Sequence, residues 1–276
     1  MIKVRAPGSK PIKLAPVRPS AAEAAWYRSQ LLGLIDAMHK SVLYWVQASW
    51  RKAGLAMDAD PHKILDAAMN KLGKQWQATF KSESKRIADG FMNGSLRHHD
   101  TAFTSSLRKA GVSVRFQSNK KIEAALDGGM AENVALITSI PEEYMEHVSK
   151  AIRESVDAGR NMKQLTRDLE HAHGITRNRA RLIARDQNNK ATAIIHRIRQ
   201  KQVGIKKAVW IHTTASKTPR EEHAQWGDEG AEYDIDKGMF SEEDGEYVWP
   251  GTPINCGCTC MSIVPGSDED ETEEEE

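Results

Sequence analysis

The sequence predicts an α+β protein, predominantly α-helical, with a long N-terminal helical hairpin and a small C-terminal β-containing module. Three observations carry that prediction. Apolar residues recur at three- and four-residue spacings through the first three quarters of the chain. After Gly204 the helical pattern stops, Gly and Asp become frequent, and short strand-like runs appear. All three cysteines, Cys256, Cys258 and Cys260, fall in one stretch near the end, PGTPINCGCTC.

The helices follow in order. Ser20-Ala21-Ala22-Glu23 has the form of a capping box and starts the first helix. Leu31, Ile35, Met38, Val42 and Trp45 then give one apolar stripe, which Gly54 weakens or ends. Asp60-Pro61 supplies a cap and a first-turn proline for the second helix, where Leu65, Met69, Leu72 and Trp76 repeat the spacing. Two such helices joined by a short turn should pack as an antiparallel hairpin. A third helical stretch is expected over 83–110, with His98 and His99 on its surface, and a short strand over 112–116. Pro141 should open a further helix that Gly159 stops. A short helix over 165–171 should end before Gly174, and Thr176 should cap a last, longer one. Runs at 208–213, 247–249 and 259–264 read as strands.

Length, composition and charge exclude several classes. A chain of 276 residues, 39% hydrophobic and 28% charged, can bury a core of its own. No apolar run approaches the roughly 18–20 residues that a membrane span needs, and the first twenty residues lack the apolar core of a secretory signal. Three clustered cysteines make no disulfide framework, so synthesis in a reducing cytoplasm is expected. The net charge of +1 hides a basic arm and an acidic tail. Residues 1–18 carry Lys3, Arg5, Lys10, Lys13 and Arg18 with no acid, whereas residues 268–276 hold eight acids and no base. Both ends are expected to be disordered. The domain plan is therefore a basic arm at 1–19, helical regions at 20–120 and 121–204, a β-module at 205–266, and an acidic tail at 267–276.

Two groups of residues are candidate sites. Cys256, Cys258 and Cys260 at alternate positions would share one face of a strand. His223 and His212 lie upstream, and two cysteines with one or two histidines make an ordinary zinc donor set. The alternative is three reduced, buried thiols. The second group is basic: Arg177, Arg179, Arg181 and Arg185 on the last long helix either form a solvated face or meet nucleic acid or an acidic protein surface. No aromatic ladder accompanies them, which argues against sequence-specific recognition. Phosphate-binding loops, nucleophile elbows and H-E-x-x-H helices are missing, so no catalytic or cofactor-binding residues are assigned.

Several elements together resemble the phage Mu F-like minor head protein family. The helix Arg179-Ala180-Arg181-Leu182-Ile183-Ala184-Arg185-Asp186-Gln187 is similar to the family's basic helix, and Gly204 and Trp210 to its Gly and Trp-led strand. Thr218-Pro219-Arg220-Glu221-Glu222-His223 matches its T-x-R-x-x-H element, and Pro253-Ile254-Asn255-Cys256-Gly257-Cys258 its N-C-R-C close. The stretch 133–141 resembles the family's entry into its helical part. Two departures stand out: Gly257 replaces the usual Arg, and Arg185-Asp186-Gln187 replaces Arg-Thr-Glu.

The resemblance implies a minor capsid protein of a tailed phage or prophage. Such a protein would sit in the virion, inside the capsid, after assembly in the host cytoplasm. Its partners would be the portal protein, other head proteins and double-stranded DNA. Arg220, His223, Asn255, Cys256 and Cys258 would form the family motif, with or without zinc. The other reading is a metal-dependent enzyme acting on nucleic acid or protein through the C-terminal module.

Overall fold

A computed structural model describes residues 10–55, 60–159, 161–213 and 220–266. Four long helices lead: α1 (Ala21–Leu55), α2 (Pro61–Lys109), α3 (Lys120–Asp157) and α4 (Met162–Gln202). A two-residue strand, β1 (Ile12–Lys13), precedes them. Strand β2 (Lys207–Ile211), helix α5 (Glu221–Glu229) and strands β3 (Glu232–Asp234), β4 (Met239–Ser241), β5 (Glu246–Val248) and β6 (Thr259–Val264) follow. The mostly helical α+β class is borne out. None of the described helices is long and apolar enough to cross a membrane.

Polar caps set the helix starts, and those at Ser20 and Asp60 were legible in the sequence. Ser20 Oγ accepts the Glu23 N–H at 3.2 Å, and Asp60 Oδ1 accepts that of His62 at 3.0 Å. Asn119 and Asn161 cap α3 and α4 in the same way, accepting from Ile122 at 3.0 Å and Gln164 at 3.1 Å.

Helix interiors depart from expectation, because packing overrides local breakers. The second and third expected helices are one 49-residue helix, α2. Pro141 lies inside α3 instead of opening a helix; Gln77 donates to Thr138 O in that turn, at 3.0 Å. Helix α4 runs through Gly174, with Leu165, Leu169 and Ala172 buried before it and Ala180 and Ile183 after it. Thr176 caps nothing, and its hydroxyl bonds back to Ala172 O at 3.0 Å. The expected strand at 112–116 reduces to a single bridge at Ser113.

The chain divides into two compact units, each built from separated segments. One takes residues 24–91 and 130–184, and its described residues are helical except at the short connections between helices. Here α1 and α2 form the expected antiparallel hairpin: Tyr27 stacks on Phe91 at 4.5 Å and Arg86 donates to Gln30 at 3.1 Å. Leu31, Ile35, Met38 and Val42 are buried as expected, but Trp45 is 49% exposed and Val46 takes the core position.

The other unit takes the described residues of 1–23, 92–129 and 185–276. Its main sheet has strand order β1-β6-β2-β3, all pairs antiparallel, with β4 and β5 forming a separate hairpin. Part of the N-terminal arm is therefore ordered, where disorder was expected. Ile12 and Lys13 pair with Val264 and Ile263, and Leu14 and Val17 are buried; these apolar residues offset the entropy of ordering. Lys3, Arg5 and the acidic tail lie outside the described residues.

A buried polar chain runs through this second unit. Arg199 is 2% exposed and grips Asp100 with two nitrogens at 2.9 and 2.7 Å. Asp100 lies 3.5 Å from His99 Nδ1, and His99 Nε2 meets His196 Nδ1 at 2.9 Å. His196 Nε2 meets Ser262 Oγ at 3.1 Å, and Gln200 donates to that oxygen at 2.8 Å. His99 is thus a core residue, contrary to its expected place on the surface, while His98 stays exposed.

Burial lowers the pKa of His99 and His196; Asp100 partly opposes the shift in His99, and the charge of His99 lowers His196 further. Both take up a proton less readily in the fold than in the unfolded chain, where they charge below about pH 6.5. The unfolded chain then binds more protons, so stability is complete above that pH and is lost as the pH falls. Each histidine contributes a slope of up to about 1.4 kcal/mol per pH unit. Urea denaturation between pH 7.5 and 5.5 should show the decline, and His196→Gln should flatten it.

Candidate functional site

The candidate site forms where the chain turns into β6. Only Cys260 lies in the strand, while Cys256 and Cys258 lie in the turn before it. The expectation of three sulfurs on one strand face is corrected accordingly. Cys260 Sγ accepts from Gln200 Nε2 at 3.6 Å and interacts with Tyr233, away from the other two. It pairs with Trp210 across β2 and β6.

Cys256 and Cys258 instead face two histidines. His223 Nδ1 lies 3.5 Å from Cys256 Sγ and 3.9 Å from Cys258 Sγ. His212 Nδ1, just beyond β2, lies 3.5 Å from Cys258 Sγ. One donor atom from each of His223, Cys256 and Cys258 lies within 4.8 Å of the other two, and all three residues are buried. All three cysteines are free thiols.

Local backbone geometry brings these groups together. Gly227 of α5 presses on His212: a Cβ there would overlap His212 Cβ and come within 2.8 Å of its backbone N. Asn255 adopts φ 60°, and its N–H donates to Asp186 Oδ1 of α4 at 2.5 Å. Asn189, one helical turn on, donates to Cys256 O at 3.0 Å. Gly257 has a steric reason to replace arginine, since a Cβ would come within 2.7 Å of Thr213 Cγ2. Arg220 reaches over the turn, donating to Ile254 O at 3.2 Å with Asp244 at 3.6 Å. Thr218 and Pro219 of the same motif lie outside the described residues.

The electrostatics favour a thiolate. The Cys258 thiol donates to Cys256 and holds its pKa well below the usual thiol range; burial opposes this, while His223 and the Gly251 N–H at 3.4 Å assist. Cys258 moves the other way, raised by that same bond and by burial. His223 is walled by aromatic rings, with Trp210 at 4.9 Å and Trp226 at 5.3 Å between centroids. Its Nε2 has no hydrogen-bond partner.

Cys256, Cys258 and His223 pass a simple fit test for zinc, and His212 lies close to Cys258 but outside that group of three. A tetrahedral ion with bonds of about 2.3 Å to sulfur and about 2.0–2.1 Å to nitrogen puts S and N roughly 3.5 Å apart. The observed separations of 3.5, 3.5 and 3.9 Å lie close to that.

The basic helix is less free than its sequence suggests. Arg177 is ion-paired with Asp36, and Arg179 with Glu143 at 2.9 Å. Arg197 lies over the Trp249 ring at 3.5 Å and Arg199 is buried on Asp100. Arg181 and Arg185 are exposed. Sequence reasoning missed the acidic partners because they lie far off in the chain.

Comparison with known proteins agrees with the motif. Residues 146–261 match the family model of Phage Mu protein F-like proteins. The upstream stretch at 133–141 lies outside that match. An uncharacterized protein of Haemophilus influenzae is 26% identical over 262 residues, 93% of this chain. The chain spans 57% of that relative's length. No solved structure matches.

The role of Gly227 can be tested directly. Gly227→Ala should destabilise the protein by about 1–3 kcal/mol, as overpacking does. Gly174→Ala, in α4 with nothing within 4 Å, should be neutral or stabilising by up to about 1 kcal/mol. Denaturant unfolding of both variants checks the contrast. Over residues 146–261, the chain is similar to the phage Mu F-like proteins.

Proposed function

We propose that this protein is a minor head protein of a tailed phage or prophage, acting in head morphogenesis in association with the portal. The observation that carries this reading is the family match over residues 146–261, which suggests a phage head protein. A relative encoded in a bacterium fits a prophage origin. In this reading the protein resides in the virion, inside the capsid, after assembly in the host cytoplasm with other head proteins.

The sulfur–histidine set is then a structural zinc site. Cys256, Cys258 and His223 supply three mutually close donors, and His212, 3.5 Å from Cys258 Sγ, would be the fourth. Closure of the shell by His212 would make the site a staple; a shell of three donors with an open position would favour the alternative of a metal-dependent enzyme. Contact with packaged DNA rests on Arg181 and Arg185, the two exposed members of the basic group. It is nonspecific and governed by salt.

Cross-linking mass spectrometry on purified phage heads tests the assignment. Cross-links should join this chain to the portal protein, and heads lacking the chain should assemble defectively. Recovery in tails alone, or normal heads without it, would overturn the reading. Arg181→Glu with Arg185→Glu should flatten the salt dependence of DNA binding by about two contacts, a slope change of roughly 1.8.

A further inference from the structure

The helical unit of residues 24–91 and 130–184 contains a second cluster that the head-protein reading leaves unused. Helix α1 carries Asp36 and His39, and α4 carries Glu170 and His173. Each pair is an acid followed three residues later by histidine, a spacing that puts both side chains on one helix face. The two imidazoles are stacked, with centroids 3.9 Å apart and planes within 5° of parallel.

Each ring has one nitrogen held by an outer partner. His39 Nδ1 meets the Tyr144 hydroxyl at 2.7 Å, and Tyr144 is buried. His173 Nε2 meets Asp36 Oδ1 at 2.8 Å, and Asp36 is in turn ion-paired with Arg177. The remaining nitrogens converge on one carboxylate. His39 Nε2 lies 3.3 Å from Glu170 Oε1, and His173 Nδ1 lies 3.9 Å from Glu170 Oε2.

Single donor atoms of His39, Glu170 and His173 all lie within 4.8 Å of one another. His39 is only 4% exposed, and its buried Nε2 faces the Glu170 carboxylate. A buried imidazole nitrogen aimed at a carboxylate, on a ring oriented from its far side, is the arrangement that metal-binding histidines adopt.

We propose that His39, His173 and Glu170 form a second metal site, for a divalent first-row transition ion, with water completing the coordination. Two imidazoles and a carboxylate suit zinc, cobalt, nickel or iron(II) better than calcium or magnesium, which prefer all-oxygen cages. Tyr144 and Asp36 are positioning residues that fix the two rings, and Arg177 keeps Asp36 charged and in place. The ion would clamp α1 to α4 within the helical unit.

Cobalt(II) titration of the full chain tests this, because thiolate ligands give intense charge-transfer absorption and nitrogen–oxygen sites do not. Two equivalents should bind, one of them without the thiolate bands. His39→Gln, His173→Gln and Glu170→Gln should each abolish or weaken that second equivalent by at least about 100-fold. Tyr144→Phe should weaken it by about 10-fold. A single, thiolate-type equivalent in the wild type would overturn the proposal, as would a second equivalent indifferent to the three substitutions. Should a variant fail to fold, zinc can be added to wild-type protein labelled with ¹⁵N-histidine. His39 Nε2 and His173 Nδ1 should then shift, and unmoved resonances at both would also overturn it.

Discussion

Residues 256–258 must fit against the end of β2, helix α5 and the 185–202 part of α4 before the chain can enter β6. That fit is the constraint on which the C-terminal unit depends. Strand β6 pairs with β1 on one side and β2 on the other, so its entry turn fixes the register of the whole sheet. The turn is held by two thiols facing two imidazoles, by Asn189 on Cys256 O and by Asp186 on the Asn255 N–H. The same turn sets which way Cys260 points, toward Gln200 and Tyr233 rather than toward the histidines.

The two clusters with metal-donor character differ in a way that chemistry makes useful. The C-terminal set is sulfur-rich, buried and walled by Trp210 and Trp226, features that suit a permanent staple. The set on α1 and α4 has only nitrogen and oxygen donors, and Glu170 is half exposed, features that suit exchange with solvent. A head protein with both would have one ion tied to folding and one responsive to its surroundings.

Much of this was legible in the sequence, for local reasons. Ser20 and Asp60 cap their helices through contacts within three residues, and such signals survive without tertiary context; Asn119 and Asn161 do the same, but sequence reasoning missed them. The grouping of the cysteines with His212 and His223 was readable because few residue types have so narrow a chemistry, but which two cysteines face the histidines was not. Breakers misled. Pro141 and Gly174 lie inside helices whose buried faces outweigh about 1–3 kcal/mol of unfavourable propensity. The placing of His99 in the core depended on His196, 97 residues away, and the His39–Glu170–His173 cluster on a span longer still. No local pattern encodes such contacts.

The most direct test is X-ray absorption at the zinc edge, on full-length protein holding one equivalent of zinc. The account predicts two sulfurs at about 2.3 Å and two nitrogens at about 2.0–2.1 Å, with the sulfur shell lost in Cys256→Ser with Cys258→Ser. A first shell of nitrogen and oxygen alone, or a protein that retains no zinc, would contradict it.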